Sequence, residues 1–405
     1  MALYWNPVPD APRSPEFTPR DQRLMREALA LAERGRGHVE PNPMVGALIV
    51  REGAVVGRGW HRRFGGPHAE VEALRSLSDP TLARGATMYV TLEPCCHDGK
   101  TPPCAQAIIA SGIVQVVAAM ADPFPKVAGG GFAALRAAGI AVRHGLEETA
   151  ARLLNAGYLK RVLIGRPYVT AKWAMTLDGK TAAATGDSRW ISNPRSRARV
   201  HQLRGRMDAI LVGIGTALAD DPLLTVRPPG PRVPARIVLD SQARLPLSSQ
   251  LVRSIDHAPL WLVHRPDAPA DRLEALERAG ARLFAPPMEG AESPHHDSGV
   301  PIAPLLDELG REGMTPLLVE GGGRVAGAFF AAGAIDALEV YLAPRVIGGA
   351  ATFAPLLGQG RSLMAQAARL IESRAENLEG DLRLTGRFAH SWLGETEPPA
   401  FPASG

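Results

Sequence analysis

Residues 67–74 read PHAEVEAL and residues 91–104 read TLEPCCHDGKTPPC. Together they hold a His-x-Glu pair, His68 and Glu70, and all three cysteines of the chain, Cys95, Cys96 and Cys104. Thiols gathered in one short window do not make a disulfide framework. They point instead to a metal and to a reducing cytoplasm. An imidazole and two thiolates are three soft ligands for zinc and leave a fourth position for water. Zinc lowers the pKa of that water towards neutrality, and a carboxylate that is not a ligand must then move protons. Glu70 fits that role. H-x-E followed by P-C-x-x-C is the pattern of nucleobase deaminases. Here its second half is stretched, because Cys95 and Cys104 are nine positions apart.

Cys95 follows Pro94 and Cys104 follows Pro103, two Pro-Cys steps that each lead towards a helix start. Helix N-termini stabilise thiolates, which favours these two as ligands and leaves Cys96 pointing elsewhere. The competing reading is a closed structural site with His97 or Cys96 as fourth ligand. Closed sites have no need of a carboxylate two residues from their histidine.

Working outward, the first half alternates helical and strand patterns. Thr18-Pro19 with Asp21 reads as a helix start, leading into Leu24, Ala28 and Leu31 on one face. MVGALIV and AVVGRGW flank Arg51-Glu52-Gly53, a hairpin signature. HAEVEALRSL is read as a helix, GATMYVTLEP as a strand, CAQAIIASG as a helix closed by Gly112, and VQVVAAM as another strand. The order predicts a three-layer α/β sandwich. EETAARLLNAGYLKRVLIG reads as a helical connection, and Pro167 opens a second run of strands and helices with a predominantly parallel buried sheet.

In that second run, VEGGGRVAGAFFAAG matches G-x-G-x-x-A at Gly321, Gly323 and Ala326. The motif lies late in its domain rather than on an opening βαβ unit, so a Rossmann assignment is discounted. What survives is a strand, a glycine turn and a helix whose N–H groups can approach a pyrophosphate; the lesser alternative is a tight turn with no ligand. Asn193-Pro194 reads as an N-cap and first helical position, with Val200, Leu203 and Met207 as a buried stripe. Arg197, His201 and Arg204 form a polar stripe from which Arg204 reaches out to phosphate. Asp220-Asp221 before Pro222 is, on its own, a turn.

A chain of 405 residues is long enough for two or three domains. No apolar run reaches the ~20 residues of a membrane-spanning helix, and no basic-then-apolar leader opens the sequence. Pro-rich text at both ends reads as a loosely ordered lead-in over residues 1–18 and a flexible tail over 391–405. The net charge is only +4, with no lysine-rich block and 5% aromatics, which argues for small anionic ligands and against a nucleic-acid platform.

VEPNPMVGALIV and EPCCHDGKTPPC resemble the bifunctional riboflavin-biosynthesis deaminase–reductase family. AMTLDGKTAAATGDSRWISNPRSRARVHQLR and DAILVGIGTALADDPLLTVR resemble its reductase half. The resemblance implies a cytidine-deaminase-like three-layer domain over 19–165 and a dihydrofolate-reductase-like α/β domain over 166–390. It implies zinc on His68, Cys95 and Cys104, with Glu70 as proton shuttle and substrate contacts from Asn42, His97 and Lys100. It places Lys172, Ser188, Arg204, Leu224, Arg227 and Glu320 on the second substrate. NADPH is expected against Ala174, Trp190, Thr216, Asp220, Ser241 and the turn Gly322, Gly323, Arg324, Val325, Ala326, Gly327 and Ala328. The implied reactions are hydrolytic deamination of a phosphoribosylaminopyrimidinone and NADPH-dependent reduction of its ribosyl group to ribityl. Small phosphorylated pyrimidines are thus the expected partners, with a homo-oligomer formed through the reductase domain.

Overall fold

The computed structural model describes residues 17–97, 102–288, 299–349 and 353–395. Lys100, residues 1–16 and residues 396–405 lie outside them. The chain divides into two compact units that meet at Ile164/Gly165.

In the first unit, α1 (Pro19–Glu33) starts at a capping box in which Thr18 and Asp21 satisfy each other's backbone N–H groups. The hairpin β1 (Gly46–Arg51) and β2 (Ala54–Trp60) follows, then α2 (Ala69–Arg75), β3 (Thr87–Val90) and α3 (Cys104–Ser111). The unit is completed by β4 (Gln115–Ala118), α4 (Gly130–Ala137), β5 (Ala141–His144), α5 (Glu148–Leu154) and α6 (Ala156–Ile164). The strands form a five-stranded sheet, β2-β1-β3-β4-β5, antiparallel at the hairpin and parallel from β3 to β5.

Glycines set the layers. A Cβ on Gly46 would lie 2.0 Å from the Ala28 carbonyl oxygen of α1, and one on Gly59 2.3 Å from the Ala69 carbonyl oxygen of α2. Gly59 pairs with Ala47, the neighbour of Gly46, so the two glycines face opposite sides of the sheet. α1 and α2 therefore cover opposite faces, giving the three layers expected from the sequence.

The second unit holds β6 (Tyr168–Thr176), α7 (Pro194–Arg204), β7 (Ala209–Gly213), α8 (Ile214–Asp220), β8 (Ala235–Leu239), α9 (Gln250–Arg253), β9 (Leu260–Val263) and α10 (Ala270–Arg278). It continues with β10 (Arg282–Phe284), α11 (Ile302–Arg311), β11 (Pro316–Val319), α12 (Gly323–Ala331), β12 (Ala337–Ala343), β13 (Ile371–Leu378) and β14 (Asp381–Arg387). The nine-stranded order is β10-β9-β8-β7-β11-β6-β12-β14-β13, parallel up to β12, with β14 antiparallel to both its neighbours. Alternation along the central strands divides the core. Ala209, Leu211, Ile237 and Leu239 face the layer holding α11 and α12, while Ile210, Val212 and Val238 face the other.

The tail begins later than the sequence suggests. Ser391–Leu393 forms a single 3-10 turn, Leu393 is buried, and Arg387 pairs with Glu395 at 2.6 Å. An apolar anchor and an ion pair hold these residues where Pro-rich text implied flexibility.

Candidate functional site

In the first unit, His68 is the N-cap of α2 and Cys104 opens α3 directly after Pro103, while Cys95 lies beyond the carboxyl end of β3. These elements bring one ligand atom from each residue to within 4.8 Å of one another. His68 Nδ1 is 3.2 Å from Cys104 Sγ and 3.6 Å from Cys95 Sγ. The Cys104 backbone N–H donates to Cys95 Sγ at 3.3 Å. Hydrogen bonding from the Cys104 thiol holds the Cys95 thiol far below its ordinary range, against the opposing effect of burial. A His-Cys-Cys set with one sulfur already biased to thiolate suits zinc. Cys96 Sγ lies outside the set, 3.8 Å from the Lys126 carbonyl.

Glu70 sits in the first turn of α2, 3% exposed, and its Oε2 has no hydrogen-bond partner among the described residues. Burial pushes its carboxyl up, with His68 opposing, to about 7. A buried carboxyl with one oxygen unsatisfied is costly, and it is tolerated where chemistry needs a proton acceptor.

Glu70, His68 and Cys95 line a cavity of about 260 Å³ that also takes in Asn42 and His97. His61 donates through Nδ1 to the Pro67 carbonyl at 2.9 Å, and burial keeps its pKa low, so its Nε2 accepts from the Asn42 amide at 3.3 Å. That contact fixes the Asn42 side chain. The His97 ring lies 6.1 Å from that of Phe124, and its buried Nδ1 also lacks a partner among the described residues.

Several residues that the sequence reading passed over shape this cavity. Buried Glu93 accepts from the backbone N–H groups of Asp122, Gly129 and Phe132 at 3.1–3.2 Å, pinning the segment between β4 and α4 that carries Asp122 and Phe124 to the cavity. Asp122 accepts from the Tyr158 hydroxyl at 2.7 Å, and burial raises its carboxyl to about 6. Tyr158 and Arg161 reach the same cavity from α6. The signal for Glu93 was its place beside Pro94-Cys95; Asp122, Tyr158 and Arg161 belong to no spaced motif.

In the second unit, Lys172 of β6, Arg204 at the end of α7 and Glu320 just after β11 converge. Arg204 grips Glu320 with two bonds of 2.7 and 2.9 Å, and Lys172 Nζ stands 3.6 Å from the same carboxylate. Burial alone would raise the Glu320 carboxyl, but the Arg204 and Lys172 charges outweigh it and hold it at about 2. Arg204 therefore does not reach out to phosphate from an exposed polar stripe. Its planar fork matches a carboxylate, and its side chain is 14% exposed.

The residues expected around NADPH are distributed unevenly. Gly322 is the exposed N-cap of α12, and its N–H donates to Thr216 Oγ1 at 3.1 Å. Val325, Ala326, Gly327 and Ala328 are buried within the helix, while Arg324 is exposed. Gly323 and Gly327 serve packing: Cβ atoms there would lie 2.1 Å from the Ala354 and 1.6 Å from the Leu357 carbonyl oxygens. Trp190 is 60% exposed, with the Arg197 guanidinium 4.6 Å from its ring centre. Asp220 ends α8 and its carbonyl accepts from Arg189 Nη2. Ser241 follows β8 by two residues, and its carbonyl accepts from the Arg265 N–H at 3.2 Å. Ala174 pairs with Tyr341 across β6 and β12.

Among the remaining substrate candidates, Leu224 is buried with a left-handed φ of +52°, and Arg227 Nη1 donates to Thr225 Oγ1 at 2.5 Å. Ser188 is half-buried in the connection between β6 and α7.

Comparison with known proteins bears on both units. The model described as cytidine and deoxycytidylate deaminase zinc-binding region matches residues 18–120, and the RibD C-terminal domain matches 167–382. Riboflavin biosynthesis protein RibD of Escherichia coli is 42% identical over 81% of this chain and 89% of its own length. The Aquifex aeolicus RibD is 39% identical over 89% of this chain and 97% of its own. The solved structure of Acinetobacter baumannii RibD superposes with a TM-score of 0.79 at 35% identity, covering 92% of this chain and 99% of that one. A deaminase/reductase from Thermotoga maritima gives 0.76 at 32%, covering 91% and 99%. The chain belongs to the RibD family, the bifunctional deaminase–reductases of riboflavin biosynthesis.

Proposed function

We propose that the first unit deaminates 2,5-diamino-6-(5-phosphoribosylamino)pyrimidin-4(3H)-one. The second then reduces the ribosyl group of 5-amino-6-(5-phosphoribosylamino)uracil to ribityl with NADPH. The observation that carries the first step is the convergence of His68, Cys95 and Cys104 beside buried Glu70, whose Oε2 has no partner among the described residues. Zinc bound by those three donors supplies a Lewis acid that makes water acidic enough to act as a nucleophile at neutral pH. Glu70 takes the proton of the attacking water and returns it to the amino group that leaves C2 as ammonia. Asn42 contacts the pyrimidine, and His97 and Lys100 are the residues read as meeting the ribosyl phosphate.

In the second unit, bound NADPH supplies hydride to C1′ of the sugar. The exposed start of α12 at Gly322, with the Thr216 hydroxyl beside it, receives the anionic part of the cofactor. Ala174, Trp190, Asp220 and Ser241 complete its surroundings. The clamp of Lys172, Arg204 and Glu320 orients the open-chain sugar, with Ser188, Leu224 and Arg227 at its edge. Burial lowers the Lys172 pKa and Glu320 opposes that shift, so a cation is held rigidly beside a carboxylate. A cytoplasmic homo-oligomer formed through the reductase unit completes the reading. Leu382 and Leu384, two apart on β14 and both exposed, support that surface.

Removing zinc with a chelator should abolish ammonia release, and zinc should restore it. Reduction of the separately supplied deaminated intermediate should persist throughout. Loss of both activities together, or of neither, would contradict the assignment of zinc to the first unit alone.

A further inference from the structure

Three buried polar atoms without a hydrogen-bond partner among the described residues line the deaminase cavity: Glu70 Oε2, His97 Nδ1 and Arg161 Nε. Buried polar groups are normally satisfied, so three orphans in one cavity imply partners supplied by a ligand. Glu70 and His97 already have expected parts in the chemistry or in substrate contact. Arg161 does not.

It is also a full positive charge. No carboxylate among the described residues pairs with its guanidinium. The nearby acids are committed elsewhere. Glu93 is taken up by the backbone N–H groups of Asp122, Gly129 and Phe132, and Asp122 by the Tyr158 hydroxyl and the Phe124 N–H. Tyr158 and Arg161 are three residues apart on α6, hence neighbours on one helix face, and the Tyr158–Asp122 bond holds that face against the cavity. Its buried Nε is a donor that a ligand can satisfy, and a cation with no paired carboxylate favours an anionic one. Its planar donor fork fits phosphate oxygens.

We infer that Arg161 binds the 5′-phosphate of the ribosylaminopyrimidine in the deaminase unit and gives that unit its preference for a phosphorylated substrate. The inference rests on the proposed deaminase reading and adds to it a phosphate contact from α6.

The test is steady-state ammonia release by zinc-loaded protein and by Arg161→Gln and Arg161→Lys, each given the 5′-phosphorylated diaminopyrimidinone and its dephosphorylated riboside. Arg161→Gln should raise KM for the phosphorylated compound by roughly 10- to 100-fold, the range of a charge-assisted contact, with kcat changed little. It should leave kcat/KM for the riboside unchanged, and Arg161→Lys should recover part of the loss. Equal losses on both substrates would make Arg161 a structural support and overturn the inference, as would no change on either. If the wild type releases no ammonia from either compound, the deaminase reading is what fails. Equilibrium binding of the phosphorylated compound then decides the inference alone: Arg161→Gln must weaken one site by a similar factor, and an unchanged isotherm overturns it.

Discussion

Glu70 and Arg161 divide the work of one cavity, the first close to the metal donors in sequence and chemistry, the second far from them in both. Glu70→Gln keeps the shape and removes the proton acceptor. It should lower kcat for ammonia release by about 10²- to 10⁴-fold while leaving bound zinc and the reductase activity intact. A loss below tenfold at full zinc content would remove Glu70 from the proton transfer. His68, Glu70, Cys95 and Cys104 were readable in the sequence because metal chemistry restricts residue type and helix starts restrict spacing. Asp122, Tyr158 and Arg161 were not, since they meet the cavity from a loop and a helix whose residues carry no spacing rule. Only the fold brings residues of α6 to the cavity that Glu70 of α2 lines. Arg204 shows the same limit from the other side: its place on the helix was legible, but its partner Glu320, 116 residues on, was not.

At the scale of elements, Glu320 is a pin. One carboxylate just after β11 ties β6 through Lys172 and α7 through Arg204. Its pKa falls from an ordinary 4.5 to about 2 in the fold, so the charged form is the stabilised one. That stability is complete above about pH 4.5 and is lost as pH falls through about 2. At ~1.36 kcal/mol per pKa unit it is on the order of 3 kcal/mol. Glu320→Gln leaves two buried cations uncompensated and should cost about 3–5 kcal/mol at pH 7. Urea unfolding of both proteins between pH 7 and 3 checks this: the gap should be constant down to about pH 4.5 and narrow below it. A gap independent of pH would mean that the carboxylate charge is not what holds these elements. The hairpin of β13 and β14 was missed in the sequence for a related reason. In IESRAENLEGDLRLTGR charged residues crowd β13, and on β14 the pattern is inverted, with Leu382 and Leu384 exposed while Asp381 is buried and Arg383 and Arg387 are half-buried, so no apolar alternation marks a face turned to the core. The central strands were readable because both of their faces are buried. The glycines of α12 were readable as a turn, but their use in packing against Ala354 and Leu357 depends on a segment some thirty residues away.

Across the whole molecule, the two units carry chemistries of different kinds, and the order of the steps follows from their substrates: the first makes what the second reduces. The fold class was legible in each half because strand and helix patterns alternate with distinct motifs in both, whereas the packing of distant elements was not. The most direct test gives zinc-loaded protein the phosphorylated diaminopyrimidinone and NADPH in one tube and follows ammonia and NADPH together. Ammonia should appear first and NADPH oxidation should follow it mole for mole. With Glu70→Gln neither should proceed until deaminated intermediate is added, after which NADPH alone is consumed. Oxidation of NADPH without ammonia release, or ammonia release never followed by oxidation, would contradict the claim that one chain performs the two steps in this order.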